Sequence, residues 1–273
     1  MEDLLALQRV RRSHFGRYLA AGLVLAVVAW ILLAFAKGQI AWTVTAEYLT
    51  AQSILVGLSN TILLAILAML LGVVLGVIIA IMRLSVNPIV NWVAIIYVWL
   101  FRGIPSLLQL LIWFNLALIF PTLAISGLFE WRTVDVMTPF VAALLGLGIS
   151  QSAYTSEVVR AGLLSVDSGQ YEAAKSIGMH RLKALRRIIL PQAMRVILPP
   201  LGNEFIGMVK WTSLASVIQF SEVMHAAETI YFVNSRVIEL LFVATFWYLS
   251  IVSILSVIQS KVERYFAKGA RNA

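Results

Sequence analysis

Hydrophobic residues dominate this chain in long runs separated by short polar segments. A membrane-spanning helix needs about 20 mostly apolar residues. Six segments reach that length, roughly 18–36, 53–82, 92–120, 139–160, 196–220 and 240–260. The pattern predicts an all-α integral membrane fold with about six transmembrane helices. The runs 53–82 and 92–120 exceed the minimum, which predicts helices that tilt or contain breaks. Ala68, Gly72, Gly76 and Ala80 recur every four residues in the second run, and Ala142, Gly146 and Ser150 do the same in the fourth. Small residues at this spacing let backbones approach closely, so these faces are expected to pack within the bundle.

Composition supports the reading. Of 273 residues, 61% are hydrophobic and 12% charged, against about 25% charged in soluble domains. The chain lacks the polar surface to cover a water-soluble body of this size. Its net charge of +8 suggests nucleic acid at first, but the basic residues sit between apolar runs, as they do on the cytoplasmic face of membrane proteins. Cysteine is absent, which removes disulfides and thiol chemistry. His14, His180 and His225 are too scattered in sequence to suggest a metal site.

Orientation follows from lysine and arginine. With the N-terminus inside, segments 1–17, 83–91, 160–195 and 261–273 hold 16 of the 21 basic residues, and the outer segments hold only Lys37, Arg132 and Arg236. Both termini are expected in the cytoplasm. The basic flank of the first run and its Ala34-Phe35-Ala36 triplet also fit a signal peptide. Its apolar stretch of about 19 residues is longer than the usual 7–15-residue signal core, which favours a retained helix.

The cytoplasmic stretch from Arg160 to Arg195 is rich in helix formers. Asp167 is placed to cap a short helix, with Gln170 completing a weak capping box. Tyr171, Ala174 and Ile177 then share one face, and Gly178 is suited to end the helix. A second short helix follows with Leu182, Leu185 and Ile188 on one side, and Pro191 restricts the chain before the fifth run. The segment reads as a helix-turn-helix at the membrane surface, its basic residues suited to the anionic leaflet. Ala173 and Ala174 leave a low face that a partner could approach.

The residues Glu172-Ala173-Ala174, three more, Gly178, nine more, Ile188, one more and Leu190-Pro191 match every fixed position of a known signature. It resembles the E-A-A loop of permease subunits of bacterial ABC importers. Phe101-Arg102-Gly103-Ile104-Pro105, Tyr154-Thr155-Ser156-Glu157-Val158-Val159-Arg160, Gly169-Gln170 and Thr212-Ser213-Leu214 are similar to the polar amino acid permeases of histidine, glutamine and arginine importers. The resemblance runs from about residue 53 to the C-terminus. It implies a five-helix permease core over 53–273, preceded by an extra helix and outer loop within 1–52. It also implies that Gln170, Glu172, Ala173, Ala174 and Gly178 couple to an ATPase dimer. Further implied partners are a second permease subunit, the same chain or a homologue, and an extracytoplasmic substrate-binding protein. One departure stands out: Trp211 occupies a position where the family commonly has Asp, so a cationic substrate cannot simply be carried over.

Polar groups in lipid are costly enough to be functional by default. Arg102, Gln109, Glu157, Asn203, Glu204, Lys210, Thr212 and Ser213 are therefore candidates for a substrate pathway. Three of them also have a plainer reading: a pair of Glu157 with Arg160 on one helical face, Arg102 reaching to the interface, and a Glu204 salt bridge to another helix, such as that of Arg102. Pro199-Pro200 and Gly202 are expected to weaken the fifth span and open backbone groups to a cavity. No Gly-x-x-x-x-Gly-Lys-Ser/Thr loop occurs. ATP and magnesium are therefore expected on the partner ATPase, with no cofactor on this chain. Rival readings are an intramembrane enzyme, for which no catalytic motif is found, a secondary transporter, and an importer of a solute other than an amino acid.

Overall fold

The computed structural model describes residues 15–125 and 129–267. Arg9, Arg11, Arg12, Lys268 and Arg271, which entered the orientation argument, lie outside them. The chain divides into two units, Met1–Val44 and Thr45–Ala273. In the first, α1 (Phe15–Lys37) is 23 residues of almost uninterrupted apolar sequence. A helix apolar on all sides suits a surrounding of lipid. Helix α2 (Trp42–Tyr48) falls in what the sequence reading left as an outer loop.

The second unit is a helical bundle centred on α3 (Gln52–Arg83) and α7 (Pro139–Leu164). Between them lie α4 (Pro88–Gly103) and α5 (Ser106–Phe114). A 3-10 turn (Leu116–Leu118) then leads to a small antiparallel hairpin of β1 (Thr122–Ile125) and β2 (Phe129–Arg132), and to α6 (Thr133–Val136). After α7 come α8 (Ser168–Ser176) and α9 (Arg181–Ala184). A π-helical turn (Leu185–Ile189) joins α9 to α10 (Leu190–Trp211). A 3-10 segment (Thr212–Ile218), α11 (Val223–Asn234) and α12 (Val237–Ala267) complete the unit.

Helix starts are set locally. Asn87 accepts from the amides of Ile89 and Val90 ahead of Pro88, and Thr138 accepts from Val141 ahead of Pro139. Both pairs combine a side-chain cap with a proline whose missing N–H costs nothing in the first turn.

The third run contains a break, as its length allowed, and the fifth span differs from expectation. The run 92–120 is not one helix: α4 and α5 meet at a bend of 99°. Pro105 has no N–H for the carbonyl of Phe101, and the Gln109 side chain supplies the donor instead, at 2.9 Å to Phe101 and 2.8 Å to Ile104. The fifth span is not weakened at its prolines. Helix α10 runs unbroken through Pro199 and Pro200. The prolines free the carbonyls of Arg195 and Val196, four residues back, and at the same level Gln259 of α12 ties the two helices together by donating to the Pro199 carbonyl at 2.7 Å. Gly202 is a crossing point, because a Cβ there would lie 1.8 Å from Gln259 Oε1. The break comes at the other end, where α10 passes into the 3-10 segment and the chain reverses through Gln219 at φ 62°.

Among the described residues, α1, α3 and α12 are each long and apolar enough to cross a membrane, and the bent α4–α5 pair is a fourth such element if counted as one broken span. Helices α7 and α10 have the length but a more polar composition, for a physical reason. Ser150, Gln151, Ser152, Thr155 and Ser156 of α7 are all buried inside the bundle and need not match lipid. The small-residue stripes pack as expected: Ala68, Gly72, Gly76 and Ala80 are buried, as are Ala142, Gly146 and Ser150. A Cβ on Gly76 would lie 2.8 Å from Thr155 Cβ and 3.0 Å from the Ser152 carbonyl, so α3 and α7 meet backbone to backbone. Outward positions such as Leu70, Ile81, Trp92, Trp99, Leu249 and Ile254 are apolar and exposed, a surface suited to lipid or to a second membrane subunit.

Candidate coupling helix and intramembrane polar site

The loop between α7 and α10 folds into a short helix sealed at both ends. Asp167 Oδ1 accepts from the Gly169 amide at 2.7 Å and caps α8. At the other end, the amide of Met179 reaches the Ala174 carbonyl and that of Gly178 reaches Lys175, both at 3.0 Å. This is the Schellman arrangement, and it puts Gly178 at φ +69°, where a side chain would be strained. The expected capping box does not close, because the Gln170 side chain pairs with Gln192 instead. Gln170, Glu172 and Ala173 are exposed on α8, whereas Ala174 is buried. The low face expected from the two alanines is thus divided: Ala173 points outward, and Ala174 is packed against the chain itself.

Helix α9 and the π turn follow directly. The widened turn lies just before Pro191, which has no N–H to offer the Arg187 carbonyl four residues back. Arg181, Lys183, Arg186 and Arg187 are all exposed there.

Inside the bundle, some of the polar candidates converge and others do not. Glu204 on α10 accepts from Gln151 at 2.7 Å and from Thr155 at 3.0 Å, both on α7, and Gln151 also donates to Thr155 at 3.0 Å. Arg102 lies 5.2 Å over the ring of Tyr154, within electrostatic reach of Glu204, and Tyr154 in turn packs at 6.0 Å from Trp211. No direct Arg102–Glu204 ion pair forms among the described residues. The result is a carboxylate, a guanidinium and two aromatic rings at the junction of α4, α7 and α10. Such a set can bind a zwitterion by opposite charges at its two ends.

The remaining candidates have other partners. Glu157 is held between Arg160 at 2.7 Å and Arg83 at 3.4 Å, so the plainer pairing is the one observed, extended to α3. Gln109 braces the 99° bend. Asn203 donates to Glu263 on α12 at 3.3 Å. The hydroxyls of Thr212 and Ser213 donate to the carbonyls of Val209 and Lys210, both at 2.7 Å, where α10 ends. Lys210 is exposed beside a cavity of about 400 Å³ that Ser213 and Tyr248 also line, and it forms no ion pair among the described residues.

Sequence reasoning missed Gln151 and Thr155 as site residues, although two polar residues four apart in an apolar helix are a usable signal. It also missed Glu222, which is fully buried. Its carboxylate accepts from the amides of Met224 and His225, capping α11, and from the hydroxyl of Tyr248 on α12. Burial holds this carboxyl above its ordinary pKa, with the three bonds opposing. Thr61 of α3 accepts from the neighbouring Val223 amide at 3.2 Å, so the start of α11 is pinned to α3 and α12.

Comparison with known proteins agrees with this architecture. A protein family described as binding-protein-dependent transport system inner membrane component matches residues 72–268. The arginine transport system permease protein ArgU of Corynebacterium glutamicum is 40% identical over 260 residues, covering 94% of this chain and 82% of that protein. The L-cystine transport system permease protein TcyB of Bacillus subtilis is 40% identical over 209 residues, covering 76% of this chain and 84% of that protein. A crystal structure of an amino acid ABC transporter with histidines aligns at a TM-score of 0.72 and 35% identity, over 84% of this chain and 100% of that one. A bundle of apolar helices, an exposed capped helix on its α7–α10 loop and these matches lead to one assignment: the chain belongs to the family of binding-protein-dependent transport system inner membrane components.

Proposed function

We propose that this chain is the membrane-spanning permease subunit of an ATP-driven importer of a polar amino acid, with both termini in the cytoplasm. The observation that carries the reading is α8: a short helix, capped at both ends by local residues, that leaves Glu172 and Ala173 exposed to a partner, with Gln170 exposed beside them and paired with Gln192. In this reading α8 docks on one subunit of an ABC ATPase dimer, which carries ATP and magnesium. Ala174 and Gly178 keep its shape. A second permease subunit, the same chain or a homologue, completes the pathway across the bilayer, and an extracytoplasmic binding protein delivers the substrate. Residues 53–273 form the working core.

Alternating access couples the two ends. The ATPase can drive the membrane part only if its closed and open dimers bind the two membrane states with different affinity. Glu204, Arg102 and the rings of Tyr154 and Trp211 form the substrate contact. Relatives named for arginine and L-cystine transport support an amino acid as the substrate class. Glu204 supplies a carboxylate in the region where Trp211 removes one, so a substrate ammonium or guanidinium still has a partner.

The test is reconstitution of this chain with its ATPase and binding protein, followed by ATP-dependent uptake of a panel of polar amino acids. Glu172→Lys and Gly178→Pro should insert normally and abolish uptake. Normal ATP-dependent uptake by both variants would remove the coupling role, and uptake by the chain without any ATPase would favour a secondary transporter.

A further inference from the structure

We propose that the cleft between α9 and the π turn binds the phosphate headgroup of an anionic phospholipid. The cleft has a volume of about 540 Å³ and is lined by His180, Leu182, Lys183, Arg186 and Arg187. Lys183, Arg186 and Arg187 converge on it from one and a half turns of chain, and none of the three has an ion-pair partner among the described residues. Arg83 and Arg160, by contrast, share the carboxylate of Glu157. Three like charges around one cleft repel one another and gain from an anion between them.

The same segment exposes apolar side chains that water would not favour. Leu182 is 67% exposed, and Leu185 and Leu190 are each 40% exposed. A cationic cleft bordered by leucines matches an amphiphile with a charged head and acyl chains. A soluble anion would leave the leucines uncovered. Position favours the membrane too. Arg187 stands nine residues, about 14 Å of helix, before Val196, where the apolar run of α10 begins. Long arginine and lysine side chains span what remains of the distance to the headgroup layer. The inference rests on the reading that this end of the bundle faces the cytoplasmic leaflet.

The test uses the full chain purified in detergent and mixed with equimolar phosphatidylglycerol and phosphatidylcholine, with bound lipid read by native mass spectrometry. The wild type should retain phosphatidylglycerol in clear preference. Each basic side chain at an anionic surface is worth about fivefold in affinity, so K183Q/R186Q/R187Q together should lower phosphatidylglycerol binding by roughly a hundredfold. R186K/R187K should keep the preference, and R236Q, at the opposite end of α12, should leave it unchanged. Equal retention of the two lipids, or a preference that survives the triple variant, overturns the proposal. Displacement of phosphatidylglycerol by millimolar inorganic phosphate assigns the cleft to a free anion and also overturns it. So does loss of ATPase co-purification by the triple variant with lipid preference intact, which assigns the cluster to the protein partner. The readout needs neither ATP nor uptake, so it fails independently of the importer assignment.

Discussion

Gly76→Ala isolates the contact on which the bundle is built. In a helix interior, alanine is favoured over glycine by about 1 kcal/mol, so the substitution would stabilise α3 in open space. At Gly76 the new methyl meets Thr155 Cβ and Cγ2 at 2.8 Å and the Ser152 carbonyl at 3.0 Å, whereas ordinary contact begins at 3.4 Å. A Cβ and a backbone carbonyl cannot rotate away, so α3 and α7 must separate by about half an ångström. Overpacking of this kind costs about 1–3 kcal/mol, which outweighs the propensity gain. The control is Gly207→Ala in α10, where nothing lies within 4 Å and only the propensity gain remains. The propensity gain is common to both variants and cancels, so they should differ by the overpacking cost of about 1–3 kcal/mol, with Gly76→Ala the less stable. The assay is unfolding of the single chain in mixed detergent micelles with increasing dodecyl sulfate, read from its eight tryptophans, since the absence of cysteine rules out thiol-reactive dyes. Equal stability of the two variants would refute the backbone-to-backbone crossing.

Two further outcomes follow from the polar interior. Glu204→Gln keeps the size of the side chain and loses the charge that Gln151 and Thr155 now support. The exchange should change KM or kcat for uptake by about tenfold, the effect of roughly 1.4 kcal/mol; unchanged kinetics would make Glu204 a packing residue. Gln109→Leu should destabilise the chain by about 2 kcal/mol or more in the micelle titration, because the carbonyls of Phe101 and Ile104 lose their side-chain donor. A loss below about 0.5 kcal/mol would mean that Gln109 does not brace the bend.

What could be read from the chain was whatever depends on neighbours in sequence. The apolar runs marked the long helices, and Asp167 and Gly178 marked both ends of α8, because capping involves residues only a few positions apart. Partnerships across the bundle were not visible in this way. The length of the run 92–120 allowed a break, but nothing local said that it would fall at Pro105, that the chain would turn by 99° or that Gln109 would hold the bend. Pro199 and Pro200 read as helix breakers by soluble rules. The helix nevertheless continues through them, crossed by α12, from which Gln259, sixty residues away, donates to the Pro199 carbonyl. The Glu204 site has the same character. Its carboxylate was singled out for its cost in lipid, but its partners Gln151 and Thr155 come from a helix about fifty residues earlier.

Helix α8 has a consequence for how such machines diversify. Its start depends on Asp167 and its end on Gly178, so both of its caps are made without a residue from the spans. The segment is a self-contained part with a standard shape. On the proposed reading, its outward residues could change to suit a different motor while the transmembrane helices and their proposed cargo site stay as they are, and that site could change without disturbing the fit to the motor. The two halves of the protein's specificity are thereby free to evolve separately.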